Sequence, residues 1–114
     1  LLNDLAWAQI QAKNPKAIDN ALKAAQMMPD NPNVLDTLGM AQALAGKRDE
    51  GIASLRTAVN LAPISPTPRI HLAEQLIAAG DKKGAAAVLT PVDASRLDKS
   101  DQEKLALLNK MTLN

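Results

Sequence analysis

Residues 35–63 read LDTLGMAQALAGKRDEGIASLRTAVNLAP. Small and large apolar residues recur there at helical spacing on two short segments, Gly46 sits in the turn between them, and Pro63 closes the stretch. The pattern is that of a helix–turn–helix unit. Gly39 lets the two helices approach, while Leu38 and Leu55 fill the space around their contact. One such hairpin cannot bury its own apolar faces, so it stacks on another like it.

The rest of the chain supplies the copies. A forward shift of 34 residues pairs Leu38 with Leu72, Gly39 with Ala73, Gly46 with Gly80, Gly51 with Ala85, Leu55 with Leu89 and Ala58 with Val92. Backward, Leu35, Leu38 and Gly39 fall on Leu2, Leu5 and Ala6 at a shift of 33, while Gly51, Ala58 and Pro63 fall on Ala17, Ala24 and Pro29 at 34. The first copy therefore has a turn shorter by one residue, where a deletion does least harm.

Local signals divide the copies into helices over residues 3–12, 15–28, 35–45, 48–61, 66–79 and 82–89. Asn14 before Pro15 and Ser65 before Pro66 read as caps followed by a proline at the first helical position, where its missing N–H costs nothing. Pro29 breaks the second helix, Asn31 caps the third, and Gly46 suits the left-handed conformation that ends helices. Pro91 ends the sixth helix early, and residues 92–99 are irregular. Ser100 and Glu103 match a capping box that opens a last helix with Leu105, Leu108 and Met111 on one face. The expected architecture is an all-α right-handed superhelix of about three hairpins (1–29, 32–63 and 66–91), followed over 92–114 by a linker and a C-terminal capping helix.

Composition agrees with helix on helix. Of 114 residues 46% are apolar, mostly Ala and Leu, and Trp7 is the only aromatic, whereas a sheet would want β-branched and aromatic residues. The net charge is +1, with Lys and Arg scattered among acids. No basic stripe interleaved with aromatics is present, which argues against nucleic acid; the longest basic cluster is Lys82-Lys83. Without cysteine there is no disulfide and no thiolate metal site. No apolar run is long enough to span a bilayer. A start at Leu1-Leu2 without Met reads as a piece of a longer protein, and any targeting signal is expected in the part outside it.

At this period and residue order the chain resembles the tetratricopeptide repeat family over nearly all of residues 1–91. Leu35, Gln42 and Leu55 stand where that family often has Trp, Tyr and Phe. A narrower likeness lies in Leu5-Ala6-Trp7, Asp30-Asn31-Pro32 and Leu35-Asp36-Thr37-Leu38-Gly39. These strings resemble bacterial tetratricopeptide proteins that accompany exopolysaccharide and exosortase (PEP-CTERM) systems, many of them exported lipoproteins. That likeness implies a periplasmic or outer-membrane-attached scaffold; the broader one alone implies a cytoplasmic protein.

In a repeat of this kind the first helices line a concave groove. Subtracting the core positions leaves Asn3, Trp7, Ile10 and Gln11 from the first hairpin, Asp36, Met40, Ala43 and Leu44 from the second, and Ile70, Glu74 and Ile77 from the third. This floor suits an amphipathic helix or an extended apolar peptide, with Asp36 and Glu74 biasing the choice. Family members that hold a chaperone's C-terminal carboxylate use Lys, Asn and Arg on those faces. Asp36, Met40 and Glu74 stand there instead, so an acidic C-terminus is expected to be repelled.

Trp7 either anchors a partner on an exposed face or packs against the next repeat or a helix upstream of Leu1. Met27, Met28 and Met40 read as gap-filling core. His71, the only histidine, has Glu74 as its nearest acid in sequence, and neither a metal site nor a nucleophilic triad assembles around it. It reads as a surface or partly packed residue. Asp49, Glu50, Asp101 and Glu103 lie at helix starts, where the helix dipole explains them. The expectation is a non-catalytic scaffold without cofactor or metal, binding a protein or peptide in its groove. The alternative is the terminal section of a longer array, stacking or forming a homo-oligomer through the Leu1, Leu2 and Leu5 side.

Overall fold

The described residues fold into seven α-helices: α1 (Leu2–Gln11), α2 (Ala17–Met27), α3 (Pro32–Leu44), α4 (Arg48–Leu61), α5 (Pro66–Ala78), α6 (Lys82–Leu89) and α7 (Lys99–Thr112). A 3-10 turn at Ala94–Arg96 precedes the last. The computed structural model describes residues 1–113, and no strand occurs among them.

The three hairpin turns share one geometry. The N–H groups of Lys13, Gly46 and Gly80 donate to the carbonyls of Ile10, Ala43 and Ile77, and those of Asn14, Lys47 and Asp81 reach back to Gln9, Gln42 and Leu76 at 2.8–2.9 Å. This pairing satisfies the last carbonyls of the preceding helix and demands a left-handed residue at the hinge. Gly46 and Gly80 take φ of 84° and 86° without a Cβ in the way, whereas Lys13 is held at 56°.

The shorter first copy shows where its residue is missing. Asn14, Pro15 and Lys16 form a turn, with Asn14 Oδ1 accepting from the Lys16 N–H at 3.0 Å, and α2 begins only at Ala17. The matching helix α4 begins at Arg48, three residues before Gly51, the counterpart of Ala17. The proline expected at the first position of α2 thus lies in the turn.

Other helix starts obey capping chemistry, not always by the expected residue. Asn31 Oδ1 accepts from the N–H groups of Asn33 and Val34, and α3 starts at Pro32, ahead of residue 35. Ser65 precedes α5 in extended backbone, but its hydroxyl makes no capping bond. At α7 the cap is Asp98, whose carboxylate accepts from the Asp101 N–H at 2.8 Å, and not Ser100, which lies inside the helix. An aspartate there also faces the positive end of the helix.

Helices α1/α2, α3/α4 and α5/α6 pair as hairpins, and each hairpin packs both of its helices on the first helix of the next unit. Helix α7 receives α5 and α6 in this way, so it takes the place of a fourth first helix and closes the stack. Leu38, Leu55, Leu72 and Leu89 are all buried, Leu55 and Leu72 almost completely. Burying a leucine fully is worth about 1.5–3 kcal/mol, so this layer is the main apolar contribution of the repeat. Leu105 and Leu108 complete the layer from α7, while Met111 on the same helix stays 40% exposed.

The close approach foreseen at Gly39 is sharpest against Gly51. A Cβ on Gly51 would stand 2.5 Å from the Gly39 carbonyl oxygen, and one on Gly39 would stand 2.6 Å from Leu55 Cγ. A polar contact repeats as well: Gln42 accepts from the Ser54 hydroxyl at 2.6 Å, and Gln9 from the Asn20 side-chain amide at 2.9 Å. Met27 and Met28 do not fill the core, being 74% and 52% exposed.

Candidate protein-binding face

Helices α1, α3 and α5 lie side by side, and on the face they form His71 of the third hairpin meets one residue from each of the other two. His71 Nδ1 lies 2.8 and 3.0 Å from the two carboxylate oxygens of Asp36, and both side chains are only 9% exposed. A carboxylate only accepts, so Nδ1 carries the proton and Nε2 is the ring's other polar atom. The Trp7 ring lies 5.3 Å from the imidazole at a tilt of 36°, within the range of favourable aromatic pairs.

The acid beside His71 is not Glu74, its nearest acid in sequence, but Asp36 one hairpin away, and His71 is buried where a surface or partly packed residue was expected. Trp7 is half-buried, and its ring packs on His71 of the third hairpin. Burial against a hydrogen-bonded partner also takes the Asp36 carboxylate out of direct reach of a ligand on the face.

Beside this cluster lies an open pocket of about 400 Å³. Ile10, Met40, Ala43 and Leu44 form its apolar lining. Lys13, Arg48 and Gln75 supply its polar lining. Gln75 joins two of these groups: its Oε1 accepts from Arg48 Nε at 3.2 Å, and its Nε2 lies 3.9 Å from Met40 Sδ. The other acid of the face, Glu74, is approached by the Lys104 ammonium of α7 at 3.2 Å. The carboxylate oxygen at that contact is shielded from solvent and lacks an aligned hydrogen bond.

Of the eleven residues expected on the groove, the structure gathers Trp7, Asp36, Ile10, Met40, Ala43 and Leu44 around these two features. Glu74 and Ile77 are half-buried on α5, Ile77 against the core, and Gln11 is exposed. Ile70 is a correction: it is 2% exposed and belongs to the core cluster that includes Leu105 and Leu108. Asn3 lies apart, in an apolar pocket with Leu1, Leu2, Ala24, Met27 and Met28. Its side-chain oxygen is covered and without a partner. His71, Lys13, Arg48 and Gln75 went unforeseen. Lys13 had a signal, because it occupies the glycine position of the hairpin turn.

Elsewhere, the Ser95 hydroxyl and N–H, helped by Arg96, hold the exposed Asp93 carboxyl below its ordinary range; it borders a separate pocket with Pro63 and Pro91. No cluster of three or more potential metal ligands occurs among the described residues.

The solved structure of the type III secretion translocator chaperone SycD of Yersinia enterocolitica overlays this chain with a TM-score of 0.83. The overlay covers 98% of this chain and 81% of that one, at 18% sequence identity. The likeness is one of fold. It places these seven helices among helical-repeat architectures of the kind the 34-residue period implies. No protein-family model and no curated protein matches the chain.

Proposed function

We propose that this chain is a non-catalytic protein-binding module that holds a peptide or helix of a partner against the face formed by α1, α3 and α5. The observation that carries this reading is the fixed Trp7–His71–Asp36 platform beside the Ile10–Met40–Ala43–Leu44 pocket. Three hairpins each supply one side chain to the platform, and the hydrogen bond locks its centre before any ligand arrives. Preorganisation of this kind lowers the ordering cost of binding. The fold likeness to a secretion chaperone supports the same reading, because a chaperone binds another protein. An export setting, with exopolysaccharide systems as one case, is a finer proposal that rests on the short strings around Trp7, Asn31 and Gly39.

A peptide array probed with the whole chain tests the reading. For its ligands, Trp7→Ala combined with Met40→Ala should weaken affinity about thirtyfold or more, the loss of one interface anchor. Unchanged affinity for every ligand would remove the face from consideration.

A second reading is favoured by one observation. The pocket of Leu1, Leu2, Asn3, Ala24, Met27 and Met28, about 340 Å³, leaves apolar surface open at the first hairpin, with Leu5 and Leu22 also 49% and 41% exposed. Self-stacking through this side would cover it. Sedimentation of the chain as a strict monomer at high concentration speaks against that role.

A further inference from the structure

Resting on the proposed binding face, we infer that its pocket selects an extended peptide in which an apolar side chain is flanked by acidic side chains. The charges on the face decide this. Its two acids are both engaged inside the molecule, Asp36 by His71 and Glu74 by Lys104. Lys13 and Arg48 border the pocket and form no ion pair among the described residues, and Arg48 donates to the neutral amide of Gln75. The face on which Asp36 and Glu74 were expected to bias the choice of ligand therefore offers an apolar floor with two cations at its border.

Lys13 adds a second, independent observation. It holds a left-handed φ of 56° at the hinge where the other two hairpins have glycine, and its side chain lines the pocket. A strained residue in place of a glycine is the kind of local conflict found at functional positions. Here the conflict places a positive charge where glycine would place nothing.

The occupant is a run of side-chain carboxylates and not a chain end. The two cations come from different hairpins, Lys13 from the α1–α2 turn and Arg48 from the start of α4, on flexible stems. The one amide in the lining, Gln75, already spans Arg48 and Met40. Two cations set apart on long stems suit carboxylates spread along a segment, whereas a terminal carboxylate wants several donors converging on one point.

The test uses acetylated, amidated peptides with leucine flanked by glutamate, glutamine or lysine, together with a glutamine-flanked peptide bearing a free C-terminal carboxylate. Binding is read by emission from Trp7, the only aromatic residue. The glutamate-flanked peptide should bind tightest, with lysine weakest. Lys13→Gly and Arg48→Gln should each cost that peptide about two- to fivefold, and the double variant and added salt should erase its advantage over the glutamine-flanked one. Arg48→Lys, which keeps the charge, should bind nearly as the wild type. Equal binding of the glutamate- and glutamine-flanked peptides overturns the inference, as does an advantage that survives in the double variant. So does a free-carboxylate peptide that matches the glutamate-flanked one, which would mark a site for chain ends. If the glutamine-flanked peptide binds and shifts Trp7 emission without any charge preference, the binding face stands and the inference alone fails; if no peptide binds, both fail.

Discussion

Hairpins one and two place different residues at equivalent positions of one repeat, and four of those positions account for much of their difference. Where hairpin two has Leu55, hairpin one has Ala21; where hairpin two has Gly39 and Gly51, hairpin one has Ala6 and Ala17; where hairpin two turns on Gly46, hairpin one turns on Lys13. Leu55 and the four alanines or glycines of the contacts are buried in both. Hairpin two thus combines its closest helix approach with a leucine layer and an unstrained turn. Hairpin one has an alanine core, a strained turn and apolar side chains such as Leu5, Met27 and Met28 facing outward. The period of the repeat fixes where the helices go, while the size of the residue at each position fixes how much each hairpin contributes to stability. Hairpin one is held mainly by stacking on α3, and it is the part expected to open first.

The largest way to erase the difference is to give hairpin two the residue of hairpin one. Leu55 is 0% exposed, so Leu55→Ala should lower the unfolding free energy by about 2–5 kcal/mol, read from urea denaturation. A loss near zero would mean that the leucine layer does not carry the fold. Gly51→Ala should cost less, about 1–3 kcal/mol, because the new Cβ meets backbone of α3 that yields only if the helices move apart. Alanine has the better helix propensity, by about 1 kcal/mol, so a stabilised Gly51→Ala protein would show that the crossing relaxes easily and that hairpins one and two are alike there.

These pairs also explain what could be read in the sequence. Leu38, Leu55, Leu72 and Leu89 were legible because a stacked repeat allows only large apolar residues around a close helix contact. The start of α2 was less so, since Asn14-Pro15 carries a sound capping signal that the shortened turn then overrides. Asp98 and Ser100 both offer acceptors two residues apart, and only the path of the chain after Arg96 selects between them. Ile70 was misplaced for a more instructive reason. It lies 34 residues beyond Asp36, and the structure buries both: Asp36 against His71 of the next first helix, and Ile70 in one cluster with Leu105 and Leu108 of α7. That position looks toward the following unit and not toward a ligand, so subtracting core residues one hairpin at a time could not show it. The Asp36–His71 bond crosses between hairpins and was hidden for the same reason.

The smallest expected effect runs in the other direction, giving hairpin one the residue of hairpin two. A side chain in the left-handed region costs roughly 1–2 kcal/mol, and glycine loses part of that gain through its freer unfolded chain. Lys13→Gly should therefore stabilise the protein by about 0.5–1 kcal/mol and raise Tm by a few degrees, on the order of 2–5 °C in calorimetry. Hydrogen exchange should slow most in α1 and α2, since the relieved turn joins them. The sign matters more than the size. A rise in Tm accompanied by weaker binding of a glutamate-flanked peptide would mean that the chain keeps a less stable turn because the Lys13 charge is used at the pocket. A fall in Tm would mean that the Lys13 side chain stabilises hairpin one by contacts that outweigh its backbone strain, and the contrast between Lys13 and Gly46 would then be one of packing and not of function.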